Sequence, residues 1–495
     1  MMQRLNQDAV HPRKDVTGKG SALFVSRLSL RKLRVLIDAD LLKSLGTPEI
    51  TGDLLLAGLL THPLISLHRY ADDGPPSDLS PRDYNTWTKA YEGWATVDPP
   101  DPQTGTRAVV YADEDSVTHA GLIEDIAEFA SQDTRTNTYG DLPPKQAASR
   151  RQADAVAAQV ASSIGADLYI TDRPFLHQAG RAYTRDITVL AASDALPFIS
   201  LYLRAQGEFV TYRDLDGRGT FRMNRGLFYW VGTRELLPSA WRWFGACVME
   251  SHAVGDSTLT YLGQSALQRV QRALTTRDTV HCMINQPQNN DIADDVLSNL
   301  DVIFVLLMGA VDATARVAHV VLGLSPSKNK VRKAGWQNSE WLKLVRAEDA
   351  NLADVVADGS SGQQVLTILR ALRNSVHGEA LQSLAVQHTG RRETLVGLPQ
   401  ADMDELMKAC EALGGSARWG IKRQIPGRMH ADPHVLLEEL FPRVVDLLDL
   451  LMARTPVERL PHVEVAKLQV GPPVEGPMGT FSENNRNSIR WQLGL

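Results

Sequence analysis

Short runs of hydrophobic residues and an alanine-rich stretch alternate in the first half of the chain. The runs at 34–38 (RVLID) and 167–172 (DLYITD) are rich in β-branched and aliphatic residues and each end in an aspartate, as buried strands often do. Between them, the composition of residues 148–164 favours a helix that Gly165 would end. Strands that alternate with helices predict an α/β domain with a parallel sheet.

Other patterns of this half predict surface features. Residues 72–107 are rich in proline and poor in hydrophobic periodicity, and we interpret about 72–117 as an insertion or surface loop. Residues 118–130 have helical spacing, with Thr118 as the candidate N-cap. An Asp-Gly step between β-prone runs within 208–232 predicts a C-terminal hairpin extension of the α/β domain.

Helical periodicity dominates from about residue 236. The predicted helices lie at 257–274, 291–323, 338–355, 362–384, 401–413 and 433–454. Few segments there alternate as strands do, so this half is predicted to be a mostly all-α bundle. The predicted organisation is a flexible arm at 1–29, an α/β domain at 30–235, a helical domain at 236–455 and an irregular tail at 456–495.

Length and net charge limit the number of domains and the classes of protein to which this chain could belong. A chain of 495 residues is long for a single core and favours two or three domains. With a net charge of −6, the chain does not produce the strongly positive field of a high-affinity nucleic-acid binder. This charge is compatible with an enzyme that binds RNA through a local site.

Cysteine usage and hydropathy bear on localisation. The spacing of Cys247, Cys282 and Cys410 matches neither a disulfide framework nor a zinc motif, and we expect buried free thiols in a reducing cytosol. The N-terminal residues lack the apolar core of a signal peptide. The longest apolar run, 302–311, is about half the length that a bilayer needs. We therefore expect a cytoplasmic protein with no membrane partner.

Three aspartates lie where a parallel sheet would collect them. Asp38 and Asp172 each end a predicted strand, and Asp154 lies near the start of the alanine-rich helix. Carboxyl ends of parallel strands form the crevice where ligands bind, so these acids are expected to converge. Converging carboxylates repel unless a hard cation lies between them, and Mg²⁺ or Mn²⁺ there would activate a water against a phosphodiester. The ordinary alternative is structural, because aspartate is common at strand ends and favoured at helix N-termini.

Two stretches around these acids resemble PIN nuclease domains. RVLIDADLL (34–42) is similar to the opening of that fold, and DAVAAQVASSIGADLYITDRPFL (154–176) is similar to its second half. The resemblance covers about residues 33–205. It implies a nuclease with Mg²⁺ or Mn²⁺ held by Asp38, Asp154 and Asp172.

The family usually adds a further acid on an intervening helix. Glu124 is the best candidate here and Glu128 is the next. Arg173 departs from the pattern, because many members keep a polar or acidic residue at that position. A cation there would partly neutralise the site, as in PIN-like domains that serve as inactive scaffolds.

A second polar set lies on a predicted helix of the second half. In LTILRALRNSVHGEAL (366–381), Arg373 and His377 are four residues apart and share a face, Arg370 joins that side, and Asn374 adds an amide. A histidine can take the 2′-hydroxyl proton of RNA or protonate the leaving oxygen, while an arginine holds the phosphate. The ordinary alternative is a polar pair on a helix surface or a buried histidine satisfied by a neighbour.

The stretch LRNSVHG (372–378) resembles the HEPN signature R-N-x-x-x-H, although it is one residue shorter. Arg370 and His377 fit the looser family spacing of four to six intervening residues, so either Arg370 or Arg373 could be the partner of the histidine. The resemblance covers about residues 290–390. It implies a helical bundle with metal-independent RNA cleavage at a site that two copies of the chain share.

The two resemblances together imply an RNA-directed nuclease of a bacterial conflict system, such as a toxin–antitoxin module or phage defence. RNA would be the substrate, the helical domain would mediate a homodimer, and an antitoxin or defence-system protein would be the partner. The alternative, from a different class, is a catalytically inactive module that dimerises or docks a partner protein. The acidic balance of the chain and Arg173 favour this alternative.

Overall fold

The structure, a computed structural model, describes most of the chain. The described residues are 31–45, 51–72, 74, 82–84, 88–90, 92–99, 102–103, 107–113, 116–121, 124–178, 183–184, 187–212, 220–376, 381–388, 391–425, 428–471 and 483–495. Two predicted features lie outside these ranges, namely the arm at 1–29 and His377. For Glu124 the structure describes the backbone but not the side chain.

The first half contains a sheet of seven strands. The strands of this half are β1 (Leu33–Asp38), β2 (Ile65–Tyr70), β3 (Arg82–Tyr84), β4 (Thr88–Ala90), β5 (Glu92–Val97), β6 (Ala108–Ala112), β7 (Val117–Gly121), β8 (Leu168–Ile170) and β9 (Thr188–Leu190). Strands β3 and β4 form a separate small hairpin, and the other seven form the sheet. The order in the sheet is β7-β6-β5-β2-β1-β8-β9, and among the described residues β3 pairs with β4 alone. Strands β5, β2, β1, β8 and β9 are parallel, while β6 and β7 run antiparallel at one edge. The predicted mostly parallel sheet is confirmed.

Helices cover both faces of this sheet. The described ones are α1 (Ala39–Leu45), α2 (Thr51–Leu59), α3 (Glu124–Gln132), α4 (Pro144–Ser163), α5 (Pro174–Gln178) and α6 (Ala192–Ala205). Val35 and Ile37 pack on one face with residues of α2 and α6, whereas Leu36 packs on the other with α4. A strand buried on both faces explains why RVLID has no polar alternation.

The expectation of a loop at about 72–117 was wrong for much of that segment. It contributes β5 and β6 to the sheet, and β7 follows directly. The strands are short and separated by proline-rich turns, so their hydrophobic alternation is too brief to stand out. The helix expected at 118–130 was also wrong at its start, because Thr118 pairs with Tyr111 in the β6–β7 ladder and α3 begins only at Glu124.

The predicted hairpin extension is present. It consists of β10 (Val210–Tyr212) and β11 (Thr220–Arg222), which pair antiparallel. Residues 213–219, which include the predicted Asp-Gly turn, lie outside the described residues.

The second half is largely helical, as predicted. Its helices are α7 (Arg225–Leu236), α8 (Ala240–Val254), α9 (Thr258–Ile284), α10 (Asn290–Val321), α11 (Lys328–Arg332), α12 (Ser339–Glu348), α13 (Ala350–Asp354), α14 (Ser361–Asn374), α15 (Met403–Ala412) and α16 (Pro433–Arg454). Helices α9 and α10 form a long hairpin in which Gly309 lets Arg269 approach, since a Cβ at Gly309 would lie 2.8 Å from Arg269 Nε. Cys247 and Cys410 are buried free thiols, as expected, and Cys282 is half-buried.

Helix α10 is long and apolar enough to cross a membrane by length and composition alone. Half of its most apolar window is buried within the protein. Core helices of soluble proteins pass the same test, so this is weak evidence for a span.

The helical half also contains a sheet that was not expected. Its antiparallel strands are β12 (Gln382–His388), β13 (Arg391–Gly397), β14 (Ile421–Ile425) and β15 (Arg428–Ala431), in the order β12-β13-β15-β14. The helix expected at 362–384 therefore ends at Asn374. Helical spacing continued by chance into residues that instead pair with β13 in a hairpin.

The C-terminal tail is not irregular throughout, as had been expected for 456–495. A helix, α17 (Glu483–Leu493), returns to the junction of the two halves. Gly232 on α7 gives it room, because a Cβ there would lie 3.0 Å from Leu493 Cδ1. Ser200 of α6 donates a hydrogen bond to Gln492 at 2.8 Å. The C-terminal helix α17 therefore contacts both the α/β half and the helical half.

Candidate functional site

A cleft of about 780 Å³ opens at the carboxyl ends of β1, β2 and β8. Asp38, Asp154 and Asp172, the three predicted acids, all line it. The parallel sheet brings Asp38 and Asp172 to one edge, since β1 and β8 are neighbours. Gly165 ends α4 in a left-handed conformation (φ 66°), and this turn directs the chain from Asp154 on α4 back into β8.

Arg173 lies at the centre of this cleft. Its three guanidinium nitrogens each lie 3.4 Å from a different carboxylate, and these belong to Asp38, Asp72 and Asp154. The guanidinium also lies over the ring of Tyr70, 5.4 Å from its centroid. One cation therefore bridges acids that come from β1, α4 and the residues after β2.

Two acids of this cluster, Asp38 and Asp154, have further polar partners. Asp38 accepts hydrogen bonds from Tyr169, at 2.7 Å, and from Thr171. Asp154, whose side chain is 3 % exposed, accepts one from the hydroxyl of Tyr139 at 2.8 Å. The backbone of Tyr139 has a φ of 62°, a conformation that costs energy in a residue with a side chain. The neighbouring structure therefore holds this hydroxyl towards Asp154.

The electrostatics follow from burial and proximity. Burial raises the pKa of Asp154, while Tyr139 and Arg173 oppose this effect. Burial opposes the charge of Arg173, but Tyr169, Asp38 and Asp72 outweigh it and raise the pKa of Arg173. The arginine therefore stays protonated at every accessible pH and compensates the acids around it.

The other predicted acids do not join this cluster. Asp172 is exposed on the rim of the cleft. Its charge affects Asp53 of α2, whose pKa is raised first by the burial of Asp53 itself and then by Asp172. Glu128 is exposed on α3. The position of Glu124 begins α3, and its side chain is not among those described.

The residues of the cleft do not fit Mg²⁺ or Mn²⁺ well. Such an ion needs carboxylate oxygens at about 2.0–2.2 Å, and here a guanidinium lies where those oxygens converge. Within the described part of the chain, the single group of side chains whose ligand atoms lie close enough for a metal ion is elsewhere. The geometry is that of an acidic site whose charge one arginine partly neutralises.

The predicted Arg-His segment is divided between two environments. Arg370 forms an ion pair with Glu405 of α15. Arg373, half-buried, lies close enough to Asp312 of α10 for its charge to affect that carboxyl, and Asn374 is exposed at the end of α14. The position of His377 relative to them is not described.

Arg373 belongs to a group of arginines around Asp312. Burial raises the pKa of Asp312, and Arg316, Arg373 and Arg269 oppose this effect in that order. Burial and then Arg316 lower the pKa of Arg269. The Nε atom of Arg316 is buried, with no hydrogen-bond partner among the described residues. The charges of three arginines thus act on one carboxyl group, that of Asp312.

Several of these residues were missed by sequence reasoning. Asp72 follows a buried strand just as Asp38 does, so the strand-end pattern could have identified it. Tyr139 and Tyr169 carry no such signal, because their role depends on which acid lies opposite in space. Arg269 and Arg316 are two among many arginines on long helices, and only helix packing brings them to Arg373.

The chain matches no family model, no curated protein and no solved structure. The resemblances to PIN and HEPN domains therefore depend on the residues quoted above.

Proposed function

We propose that this protein is an RNA-directed, nuclease-like protein whose chemistry lies in the helical half and needs no metal ion. The observation that carries the proposal is that Arg269, Arg316 and Arg373, all half-buried, act together on the carboxyl of Asp312. Several arginines close to one another suit the phosphates of RNA. The group lies beside the segment that resembles the HEPN signature.

In the proposed reaction, the arginines hold a phosphate and stabilise the charge that develops on it. His377 takes the proton of the 2′-hydroxyl, whose oxygen attacks the adjacent phosphorus. The bond from phosphorus to the 5′-oxygen breaks, and that oxygen takes up a proton. The products are a 2′,3′-cyclic phosphate and a free 5′-hydroxyl. A second copy of the chain would supply the second histidine, as the resemblance implies.

The α/β half has a different role in this proposal. Arg173 supplies part of the charge that Mg²⁺ or Mn²⁺ would supply in an active PIN nuclease and lies between the same acids, so this half serves as a scaffold or binding part. The same observation favours the second candidate function, a module that binds or assembles with a partner such as an antitoxin or another defence protein. The two candidates differ in whether His377 is needed for any activity.

The test is cleavage of mixed RNA by the purified full chain, in EDTA and in Mn²⁺. Cleavage in EDTA that His377→Ala and Arg373→Ala abolish supports the proposal. The matched control is Arg346→Ala on α12, because Arg346 is exposed and pairs only with nearby Asp354 among the described residues. Cleavage that needs Mn²⁺ and is lost in Asp38→Asn would assign the activity to the acidic cleft instead. Absence of cleavage in every condition would favour the binding module.

A further inference from the structure

Three potential metal ligands meet where the two halves join. His281 belongs to α9, and His434 and Glu438 belong to α16. Their candidate ligand atoms all lie within 4.8 Å of one another. His434 and Glu438 are four residues apart on one helix, so they share a face, and packing of α9 adds the third side chain.

The distances suit a small tetrahedral ion. The Nδ1 atoms of His281 and His434 lie 3.3 Å apart. An ion with metal–nitrogen bonds of about 2.0–2.1 Å holds two tetrahedral nitrogens about 3.3–3.4 Å apart. Oε1 of Glu438 lies 2.8 Å from Nε2, the other ring nitrogen of His281. Since an imidazole gives one nitrogen to an ion, the third bond needs the carboxylate, whose ligand atom already lies within 4.8 Å, to move towards the two Nδ1 atoms.

The position and access of the site also suit a metal ion. His281 is buried on α9 and presents its imidazole to both His434 and Glu438. His434 is exposed and borders a cleft of about 570 Å³, which offers a path for entry. Asn285 and Asp194 line the same cleft, so a fourth position would face polar groups and solvent.

Arg277 holds the carboxylate in place. Its Nη2 atom donates to both oxygens of Glu438, at 2.6 and 2.7 Å, and its Nη1 atom donates to the carbonyl of Leu493 at 2.8 Å. Oε1 also accepts from Nε of Arg277 at 3.0 Å, so the lone pair that remains for an ion is on Oε2. Through the carbonyl of Leu493, Arg277 also connects the site to α17, the helix that contacts both halves.

We propose that His281, His434 and Glu438 form a binding site for Zn²⁺ or a similar transition-metal ion, with an open fourth position facing the cleft. Two imidazoles and one glutamate are a known catalytic zinc set, in contrast to the hard-oxygen set that Mg²⁺ prefers. The site is independent of the RNA chemistry proposed above. A bound ion would fix α9 to α16 beneath the α/β half.

The test uses the full chain without an affinity tag, stripped of metal by a chelator that is then removed. Co²⁺ is titrated and its visible absorption followed, and Zn²⁺ binding is measured by calorimetry. We expect one equivalent per chain, with the intense absorption of tetrahedral Co²⁺. His434→Ala should weaken binding at least tenfold, while the exposed His252→Ala on α8 should leave it unchanged.

Two further variants keep the test decisive. Asp38→Asn should retain the Co²⁺ spectrum, because the acidic cleft is a separate site. Glu438→Gln should reduce affinity, with circular dichroism as the check that it folds despite the loss of charge beside Arg277. Equal Co²⁺ stoichiometry and spectra in wild type and His434→Ala would overturn the proposal. So would the absence of binding at micromolar metal, which would leave a hydrogen-bonded histidine pair.

Discussion

Arg204 donates a hydrogen bond from Nε to Asp278 Oδ2 at 2.6 Å, and the two side chains are only 4 % and 8 % exposed. Arg204 belongs to α6 of the α/β half, whereas Asp278 belongs to α9 of the helical half. Tyr229 donates to the same oxygen, also at 2.6 Å. A buried charge pair therefore joins the halves at a place with little access to water.

We expect Asp278→Ala to destabilise the protein by about 3–5 kcal/mol, because it leaves the buried guanidinium of Arg204 without its counter-charge. Urea unfolding at pH 7 measures this change. Glu458→Ala is the control, since the Arg242–Glu458 pair is more exposed and should be worth less than about 1 kcal/mol. Similar losses in both variants would contradict the role of Asp278.

Replacement of Arg173 should convert the acidic cleft into a cation site. In Arg173→Ala, Asp38 and Asp154 lose their shared counter-charge, so millimolar Mg²⁺ should raise the melting temperature by several degrees through preferential binding to the folded state. The same Mg²⁺ concentration should leave the wild type nearly unchanged.

The control for this experiment is Arg150→Ala, since Arg150 lines the cleft but is exposed. Stabilisation of the wild type by Mg²⁺ to the same degree as Arg173→Ala would show that Arg173 does not occupy the position of the cation.

His62 should make stability depend on pH between about 4 and 6.5. Burial and then Arg222 lower the pKa of His62 to about 4. Nδ1 of His62 also accepts a hydrogen bond from the backbone N–H of Leu64 at 3.1 Å, which a proton on Nδ1 would abolish.

The unfolded chain takes up this proton first, at a pKa near 6.5, so the contribution is complete above that pH and is lost as the pH falls towards 4. The loss at pH 4.5 is about 2–3 kcal/mol relative to pH 7. His62→Asn keeps an acceptor and cannot gain the charge, so its unfolding free energy should vary less with pH by this amount. The exposed His252→Asn serves as control, and an equal effect of the two variants would refute the assignment.

Arg316→Ala should weaken RNA binding and reduce its salt dependence. Removal of one phosphate contact lowers the slope of log affinity against log salt by about 0.7–0.9. Fluorescence anisotropy with single-stranded RNA at several salt concentrations measures both quantities. Arg346→Ala should change neither, and an unchanged slope in Arg316→Ala would remove this arginine from the RNA surface.

Local sequence determined the elements with strong and uninterrupted periodicity. The strand at 34–38, the helix at 148–164 and the long helix at 291–323 were predicted within a few residues of β1, α4 and α10. The helix predicted at 433–454 matches α16. These segments bury one or both faces along their whole length, so their hydrophobic pattern carries the information that folds them.

The strand-end rule also predicted part of the acidic cleft. Asp38 and Asp154 were expected to converge, and both contact Arg173. Asp154 was wrongly expected at the start of a helix, because α4 begins at Pro144 and Asp154 lies in its middle. The sequence could indicate that the arginine would neutralise the site, because it follows Asp172 directly. It could not show that Asp72 would take the third nitrogen or that Asp172 would stay on the rim, since side-chain directions at a loop depend on the packing around it.

Tertiary structure alone decided the features that depend on pairing between distant segments. Strand β5 pairs with β2, and β15 pairs with β13, across other elements of the chain, so the residues of these strands carry little signal of their own. His281 and His434 lie 153 residues apart, and Arg204 and Asp278 lie 74 apart. The sequence by itself determined which segments bury hydrophobic faces. Which polar groups meet was decided only when those faces packed, because contact between side chains from different elements is a property of the packed fold and not of local periodicity.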